Sequence, residues 1–294
     1  NLPGPYDLQA YRCRTYSVAT NKPPFAPYRG VARPGVCFAI EATIDAIARA
    51  VGREPWQVRL ENLVAGTAMP YTNITGKHYD SGDYPASLRA VKEMIGFDEL
   101  RTRGGRDDRG RYLGVGFATY TEQSAHGTKV FAAWGLPLVP GFDQAQVKLT
   151  PDGELEVRAG IHTIGQGLET TLAQIAHERT GVPIQHIRVT LGDTALTPFS
   201  TGAYASRGIV MSGGAVSVAA GIVADRIRAI AAHLLQAKSE DVIFRAGRIV
   251  AGEASVGYED VGRAWYMRPD QLPDDVDRGG LEAVGAYKPA VDGG

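Results

Sequence analysis

Cysteine is nearly missing from this chain. Cys13 and Cys37 are the only two in 294 residues, too few for a disulfide framework or for the four thiolates of an iron–sulfur cluster. The six histidines show no His-X-His spacing and no Cys-X-X-Cys accompanies them, which argues against zinc held by side chains. An excess of one charge is lacking too. The net charge is −1, with Lys and Arg dispersed, so no basic stripe invites nucleic acid or an anionic membrane surface. No signal peptide is visible at the start. The uncharged run at residues 208–224 falls short of the roughly 20 residues a bilayer needs and reads as a buried helix. Together these absences predict a reducing, cytoplasmic setting, with neither nucleic acid nor membrane as partner. Asn73-Ile74-Thr75 spells a glycosylation triplet, a chance match in such a setting. The first residue is Asn rather than Met, so a processed chain or a fragment is expected.

What is present describes a globular protein. Hydrophobic residues make up 44% and charged residues 21%, enough to bury a core in one large or two medium domains. Residues 6–20 alternate β-formers with polar residues and predict a strand, with Cys13 in it as a small packed hydrophobe. Three prolines make 21–27 a loop. Phe38, Ile40, Ile44, Ile47 and Val51 recur at helical spacing over 36–51, and Gly52 ends that helix. Pro55 opens a short helix through Leu63, and a polar stretch, 71–83, precedes another helix at 84–95. An Arg, Asp and Gly-dense segment, 101–111, divides the chain into 1–105 and 106–294. Beyond it, 112–134 reads as β-rich. A hairpin of 144–149 and 154–159 turns on Pro151-Asp152-Gly153. A long helix spans about 207–236, and its small residues from Ser212 to Gly221 permit close packing. A hairpin at 242–250 and a helix at 258–266 follow, and from Met267 the chain turns polar with no compact element expected. The class is α+β, mixed sheets packed with helices, in two subdomains.

Two loops carry the chemistry. Gly165, Gln166 and Gly167 stand where the strand 155–159 yields to a helix beginning near Leu168. Two glycines around one amide let backbone approach a ligand closely. The helix start offers unpaired N–H groups and a positive dipole end. A second loop of small and polar residues, Ser200, Thr201, Gly202, Ala203, Tyr204, Ala205, Ser206 and Arg207, precedes a second helix. The pair reads as a clamp for a large phosphate-bearing cofactor.

The strings around them are specific. Gly-Gln-Gly-Leu-Glu-Thr-Thr-Leu-Ala-Gln-Ile-Ala from Gly165, Gly181-Val182-Pro183, Val-Thr-Leu-Gly-Asp-Thr ending at Thr194, and Gly202-Ala203-Tyr204-Ala205-Ser206-Arg207 resemble the molybdenum hydroxylase large subunit. That is the family of xanthine dehydrogenase, aldehyde oxidase and carbon monoxide dehydrogenase, and the resemblance covers nearly the whole chain. It implies a molybdopterin cofactor in its cytosine dinucleotide form, with molybdenum held by the cofactor dithiolene and by no protein ligand. Gln166 would hydrogen-bond an oxygen ligand on the metal. Gly165, Gly167 and the residues from Thr201 to Arg207 would bind the pterin and its nucleotide tail, joined by Arg29 and Gly30, and Val31 would line the substrate pocket. The implied reaction is hydroxylation of an aldehyde or N-heterocycle carbon with oxygen from water. Electrons would pass to iron–sulfur and flavin (FAD) partner domains or subunits, and the rest of the large subunit would be a further partner.

Departures from the family pattern shape the expectation. Ala32 and Gly35 stand where glycine and glutamate are common, and Val31 replaces the aromatic that stacks on purines. Ala10-Tyr11-Arg12-Cys13 spells a carbon monoxide dehydrogenase motif in the wrong register, since Gly30 holds that branch's cysteine position. Neither Gly-X-Gly-Glu, which carries the family's base, nor Phe-Gly-Gly occurs, so the isolated chain is expected to be inactive and to need more polypeptide. His162 suits either pterin contact or packing, whereas His177 and Glu122 read as structural and Glu169 as an acid–base alternative. The competing reading is a non-catalytic scaffold or assembly subunit that keeps the clamp. A Rossmann reading rests on Gly114-Val115-Gly116 alone and lacks a βαβ repeat and an acidic partner.

Overall fold

A computed structural model describes residues 3–24, 26 and 28–290. The backbone gathers into two compact units, one within residues 1–122 and the other within 123–293. The first is mainly helical: α1 (Arg33–Ala50), α2 (Pro55–Asn62), a two-residue ribbon of β1 (Tyr71–Thr72) and β2 (His78–Tyr79), α3 (Tyr84–Met94) and α4 (Phe97–Thr102). Pro34 and Pro55 sit in the first turns of α1 and α2, where a missing N–H costs nothing. Asp83 caps α3 by accepting from the Ala86 N–H at 2.9 Å. The apolar periodicity of α1 buries Ile44 and half-buries Ile40, yet Phe38, Ile47 and Val51 stay exposed. Segment 101–111 folds back on itself within this unit through a bridge between Arg106 and Tyr112.

The expected strand at 6–20 does not form. Tyr6 makes one bridge, to Leu63, and 9–24 lie exposed without regular pairing. Alternation alone cannot hold a strand that has neither a neighbour for its N–H groups nor a face to bury. Cys13 is accordingly exposed, not a packed hydrophobe. Residues 25 and 27 of the expected proline loop lie outside the described residues. The core of this unit gathers Ile44, Ala48, Val58, Leu63, Leu88, Phe97 and Phe117, and Tyr6 joins it to a buried polar node. Arg59, fully buried, donates to Glu41 Oε2 and to Asp45 Oδ1, both at 2.7 Å, and to the Glu41 carbonyl at 3.2 Å. Tyr6 donates to Glu41 Oε1 at 2.7 Å.

The second unit holds α5 (Thr128–Ala133), β3 (Asp143–Leu149), β4 (Leu155–Ala159), α6 (Leu168–Thr180), β5 (Ile187–Leu191), α7 (Gly213–Leu235), β6 (Ile243–Arg245), β7 (Arg248–Ala251), β8 (Ala254–Val256), α8 (Tyr258–Met267) and β9 (Glu282–Tyr287). Its main sheet runs β5-β4-β3-β9, with β4 and β5 parallel and the other pairs antiparallel. Ala145, Val147 and Leu149 alternate inward on β3, as Leu155, Val157 and Ala159 do on β4, so one face is core and the other polar. Helix α6 is the crossover that a parallel pair requires; there is this one βαβ unit here rather than a repeat. β6, β7 and β8 form a separate antiparallel sheet.

Two expectations are corrected here. Residues 128–133 are helical rather than β; Phe131 is buried on one side and meets His126 and Trp134 edge-on, which a helix turn permits. The polar tail after Met267 ends in a compact element after all, because β9 pairs with β3 from Asp143↔Tyr287 to Lys148↔Glu282. The long apolar helix forms where expected, as a π-helical turn at 208–212 running into α7. Residues 208–235 are long and apolar enough to cross a membrane by length and composition, and half of the qualifying window is buried inside the fold. Ala215, Ala219, Val223, Ile227 and Ile230 pack into the core from α7. Its small face matters for the sheet beneath: a Cβ on Gly285 of β9 would lie 2.5 Å from the Ala219 nitrogen, so helix and strand backbones touch only because no side chain intervenes.

Each unit buries one tyrosine hydroxyl. Tyr258 donates to the Thr180 carbonyl at 2.7 Å, as Tyr6 does to Glu41. Burial, aided at Tyr6 by the Glu41 carboxylate, pushes both phenols well above the usual value near 10. The fold holds their neutral form, so this contribution is intact below about pH 10 and is lost above it, where the unfolded chain ionises first. We expect stability to fall from about pH 10 upward, with both phenols ionising only as the chain unfolds. An ultraviolet phenolate titration run beside circular dichroism checks this. All tyrosines ionising near pH 10 with the native dichroism intact would contradict it.

Candidate functional site

The parallel pairing of β4 with β5 brings the two loops together. Ala159 lies opposite Leu191 at the carboxyl ends of the two strands, so residues 160–167 and the chain from Gly192 leave the sheet at the same edge. Crevices at such ends are where open α/β sheets bind ligands. Contact between the loops is close. A Cβ on Gly160 would lie 2.1 Å from the Pro198 carbonyl oxygen, so any side chain there would push the second loop away. The His162 ring rests against Gly202, and its Cβ approaches Gly192. His162 therefore packs between the loops with its side chain exposed.

In the first loop, residues 162–167 are all exposed between buried Ile161 and Leu168. Gly165 (φ +95°) and Gly167 (φ +79°) occupy the left-handed region, with nothing within 4 Å of an added Cβ. These glycines keep the loop surface open, and Gly167 starts α6. Gln166 is folded onto its own loop: its Oε1 accepts from the Ile164 N–H at 2.6 Å and from Thr163 Oγ1 at 3.4 Å. A backbone N–H can only donate, so the amide orientation is set and Nε2 is left as the amide's remaining donor.

The second loop is braced rather than open. Arg207 is 2% exposed. Its Nη2 donates to the Phe142 carbonyl at 2.7 Å, its Nη1 to Thr201 Oγ1 and to the Gly202 carbonyl, and its guanidinium lies 5.0 Å from the Tyr204 ring centroid. With its donors so occupied, Arg207 shapes the loop instead of presenting a free cation. Tyr204 also meets Phe131 edge-on and its hydroxyl pairs with Thr201 at 2.8 Å. Ala205 (φ +49°) and Ser206 (φ +54°) are consecutive left-handed residues without being glycine, and the Ala205 carbonyl accepts from the Ala125 N–H at 3.1 Å. Thr201 and Ser206 are exposed, Ala203 half-buried and Gly202 buried. A single turn of π-helix, 208–212, leads into α7.

Arg29, Gly30 and Val31 belong to the other unit. They form the turn before α1, where Gly30 (φ +79°) and β-branched Val31 (φ +54°) are both left-handed, a conformation that such a side chain seldom takes. Arg29 and Val31 are exposed. Gly30 lines a cavity of about 250 Å³ with Arg33, Cys37, Ile40, Thr119 and Glu122; Val31 is not in its wall. Glu122 pairs with Arg33 at 3.2 Å, as a structural residue would. Burial, then the Glu41 carboxylate, pushes the Cys37 thiol up, so it lines the cavity as a neutral thiol. His177 Nδ1 donates to the Val182 carbonyl at 2.8 Å at the end of α6, and Glu169 stands exposed in that helix's first turn.

Two features had little signal in the sequence. Asp143, 1% exposed, accepts from Ser212 at 2.6 Å and Ser200 at 3.3 Å; an acidic residue heading an alternating strand gives no warning of this. Cys37 sits one helical turn from Ile40 and shows its cavity only once residues 119–122 are placed.

A family model described as a molybdopterin cofactor-binding domain matches residues 90–294, and another of the same description matches residues 1–63. The nicotine 6-hydroxylase large subunit of Paenarthrobacter nicotinovorans is 32% identical over 97% of this chain and 35% of its own length. The carbon monoxide dehydrogenase large chain of Hydrogenophaga pseudoflava is 32% identical over 97% of this chain and 36% of its own length. The crystal structure of quinoline 2-oxidoreductase from Pseudomonas putida 86 superposes with a TM-score of 0.86 at 34% identity, covering 98% of this chain and 37% of that one. The chain thus spans about a third of the length of the relatives it matches.

Proposed function

This chain belongs to the molybdopterin cofactor-binding family of molybdenum hydroxylase large subunits, and from that premise we propose that its two loops hold the molybdenum cofactor of an oxidoreductase that hydroxylates an aldehyde or N-heterocycle carbon. One observation carries the reading. The 160–167 and 192–207 loops meet at the carboxyl ends of parallel β4 and β5, with Gln166 Oε1 held by the Ile164 N–H so that Nε2 is the amide's remaining donor.

The residues fit the group. Open backbone at Gly165 and Gly167 and the start of α6 suit a bulky anionic ligand. Because Arg207 is occupied within its own loop, anion contacts there fall to backbone N–H groups and to the exposed hydroxyls of Thr201 and Ser206. Gln166 supplies a neutral donor fixed before the cofactor arrives. When bound, the cofactor supplies the Lewis acid and two-electron sink that no side chain provides. Arg29, Gly30 and the left-handed Val31 turn lie in the other unit, and their cofactor and substrate roles rest on the family resemblance alone. Nothing at Val31 offers a ring for stacking, which favours a substrate held by shape over a stacked purine.

The cytosine dinucleotide form, iron–sulfur and flavin partners, a cytoplasmic setting and a need for further large-subunit polypeptide complete the proposal. The relatives' names as a large subunit and a large chain support the partner subunits. The test is to purify the chain from a molybdenum-replete cell and measure molybdenum and acid-released nucleotide per chain. Near-stoichiometric cytidine nucleotide with molybdenum, without turnover of the chain alone, is expected. Folded protein carrying neither would overturn the cofactor reading in favour of a scaffold.

A further inference from the structure

We infer that Asp143 is a positioning residue for the cofactor, acting through the 200–212 loop; the inference rests on the cofactor reading above. Asp143 is the first residue of β3 and lies outside both loops. Its Oδ2 gathers three groups: Ser212 Oγ at 2.6 Å, Ser200 Oγ at 3.3 Å and the Arg207 guanidinium at 3.9 Å. Ser200 opens the second loop and Ser212 closes the π-helical turn after it, so one carboxylate oxygen ties both ends to the sheet. The middle is tied by Arg207, whose contacts to Thr201, Gly202, Tyr204 and Phe142 are set out above.

The chemistry requires this pair to act as a unit. Asp143 and Arg207 are 1% and 2% exposed, and each ion alone would be costly to bury. With the pair intact, the loop carries no net charge from these groups and the guanidinium stays on the loop's inner side. The pair also stands behind a strained segment. Two adjacent non-glycine residues, Ala205 and Ser206, are left-handed, a conformation that persists only where the surroundings over-determine it. Losing the carboxylate leaves Arg207 without its counter-charge and Ser200 and Ser212 without their shared acceptor. The loop then relaxes away from the shape that offers Thr201, Ser206 and its backbone to the cofactor.

The experiment compares wild type with Asp143→Asn, each purified as the full chain from a molybdenum-replete cell, by hydrogen exchange and by molybdenum and nucleotide content. Asp143→Asn should speed amide exchange across 200–212 while α6 stays protected, and should lower retained molybdenum and nucleotide about tenfold or more, the usual scale for removing a supporting partner. Should Asp143→Asn not fold, Ser212→Ala keeps the ion pair, removes the shortest tie, and must show the same two changes in weaker form. Unchanged exchange in both variants would overturn the inference while leaving the cofactor reading in place. Faster exchange with wild-type cofactor content would also overturn it, reducing Asp143 to a structural brace. Wild-type protein with no cofactor removes the underlying reading, and the positioning role with it.

Discussion

Replacing Gln166 by alanine is expected to lower turnover of the assembled enzyme by about 100-fold or more, the usual cost of losing one pre-aimed donor. The chain should stay folded. Gln166 is exposed, and the bonds it makes are local, to Ile164 and Thr163. Its value lies in pre-organisation. Oε1 is engaged by a backbone N–H, so the amide does not have to reorient when Nε2 is used, and flanking Gly165 and Gly167 leave the approach open. Gln166→Glu gives a second view: the carboxylate can still accept from Ile164 but has lost the donor, so it should fail as alanine does. Wild-type turnover in either variant, at full molybdenum and nucleotide loading, would remove Gln166 from the site.

Arg59→Ala should destabilise the first unit by about 3–5 kcal/mol, the cost of breaking a buried ion pair from one side. Arg59 is fully buried and Glu41 is 5% exposed. Without the guanidinium, the Glu41 carboxylate keeps the Tyr6 and Thr119 hydroxyls but no positive charge. Asp45 is more exposed and can turn to water, so Glu41 dominates the loss. Glu41 lies on α1, and the Gly30–Val31 turn leads into the start of that helix, so the loss should reach that turn too. Urea denaturation followed by circular dichroism reads the change. A loss below about 1 kcal/mol would mean that the node is solvated in solution and braces nothing.

Much of the second unit was legible because its signals are local. The Pro151-Asp152-Gly153 turn, the alternation on both sides of it, the helix after Gly167 and the hairpin around Gly247 each follow from a few neighbouring residues. Local signals also misled. Residues 6–20 have a strand's alternation without a partner, and 128–133 look β-like residue by residue yet close a helical turn around Phe131. β9 was invisible because Glu282–Tyr287 mixes Gly and Ala with charge; it is a strand because β3 offers an edge and α7 a bare face against Gly285.

The sequence by itself determined the α+β class and the places of both loops, since each depends on residue type and short-range spacing. Tertiary structure alone decided that the loops meet, because that follows from the parallel pairing of β4 with β5, whose partners lie some thirty residues apart. It also decided what Arg207 does. Read along the chain, an arginine at the end of a Ser/Thr/Gly loop looks like a phosphate ligand. In the fold its charge meets Asp143, far away in sequence, and its hydrogens are spent on the loop's own oxygens. A charge buried at 2% exposure must be paired, and which residue pairs with it is a property of the packing, not of the string.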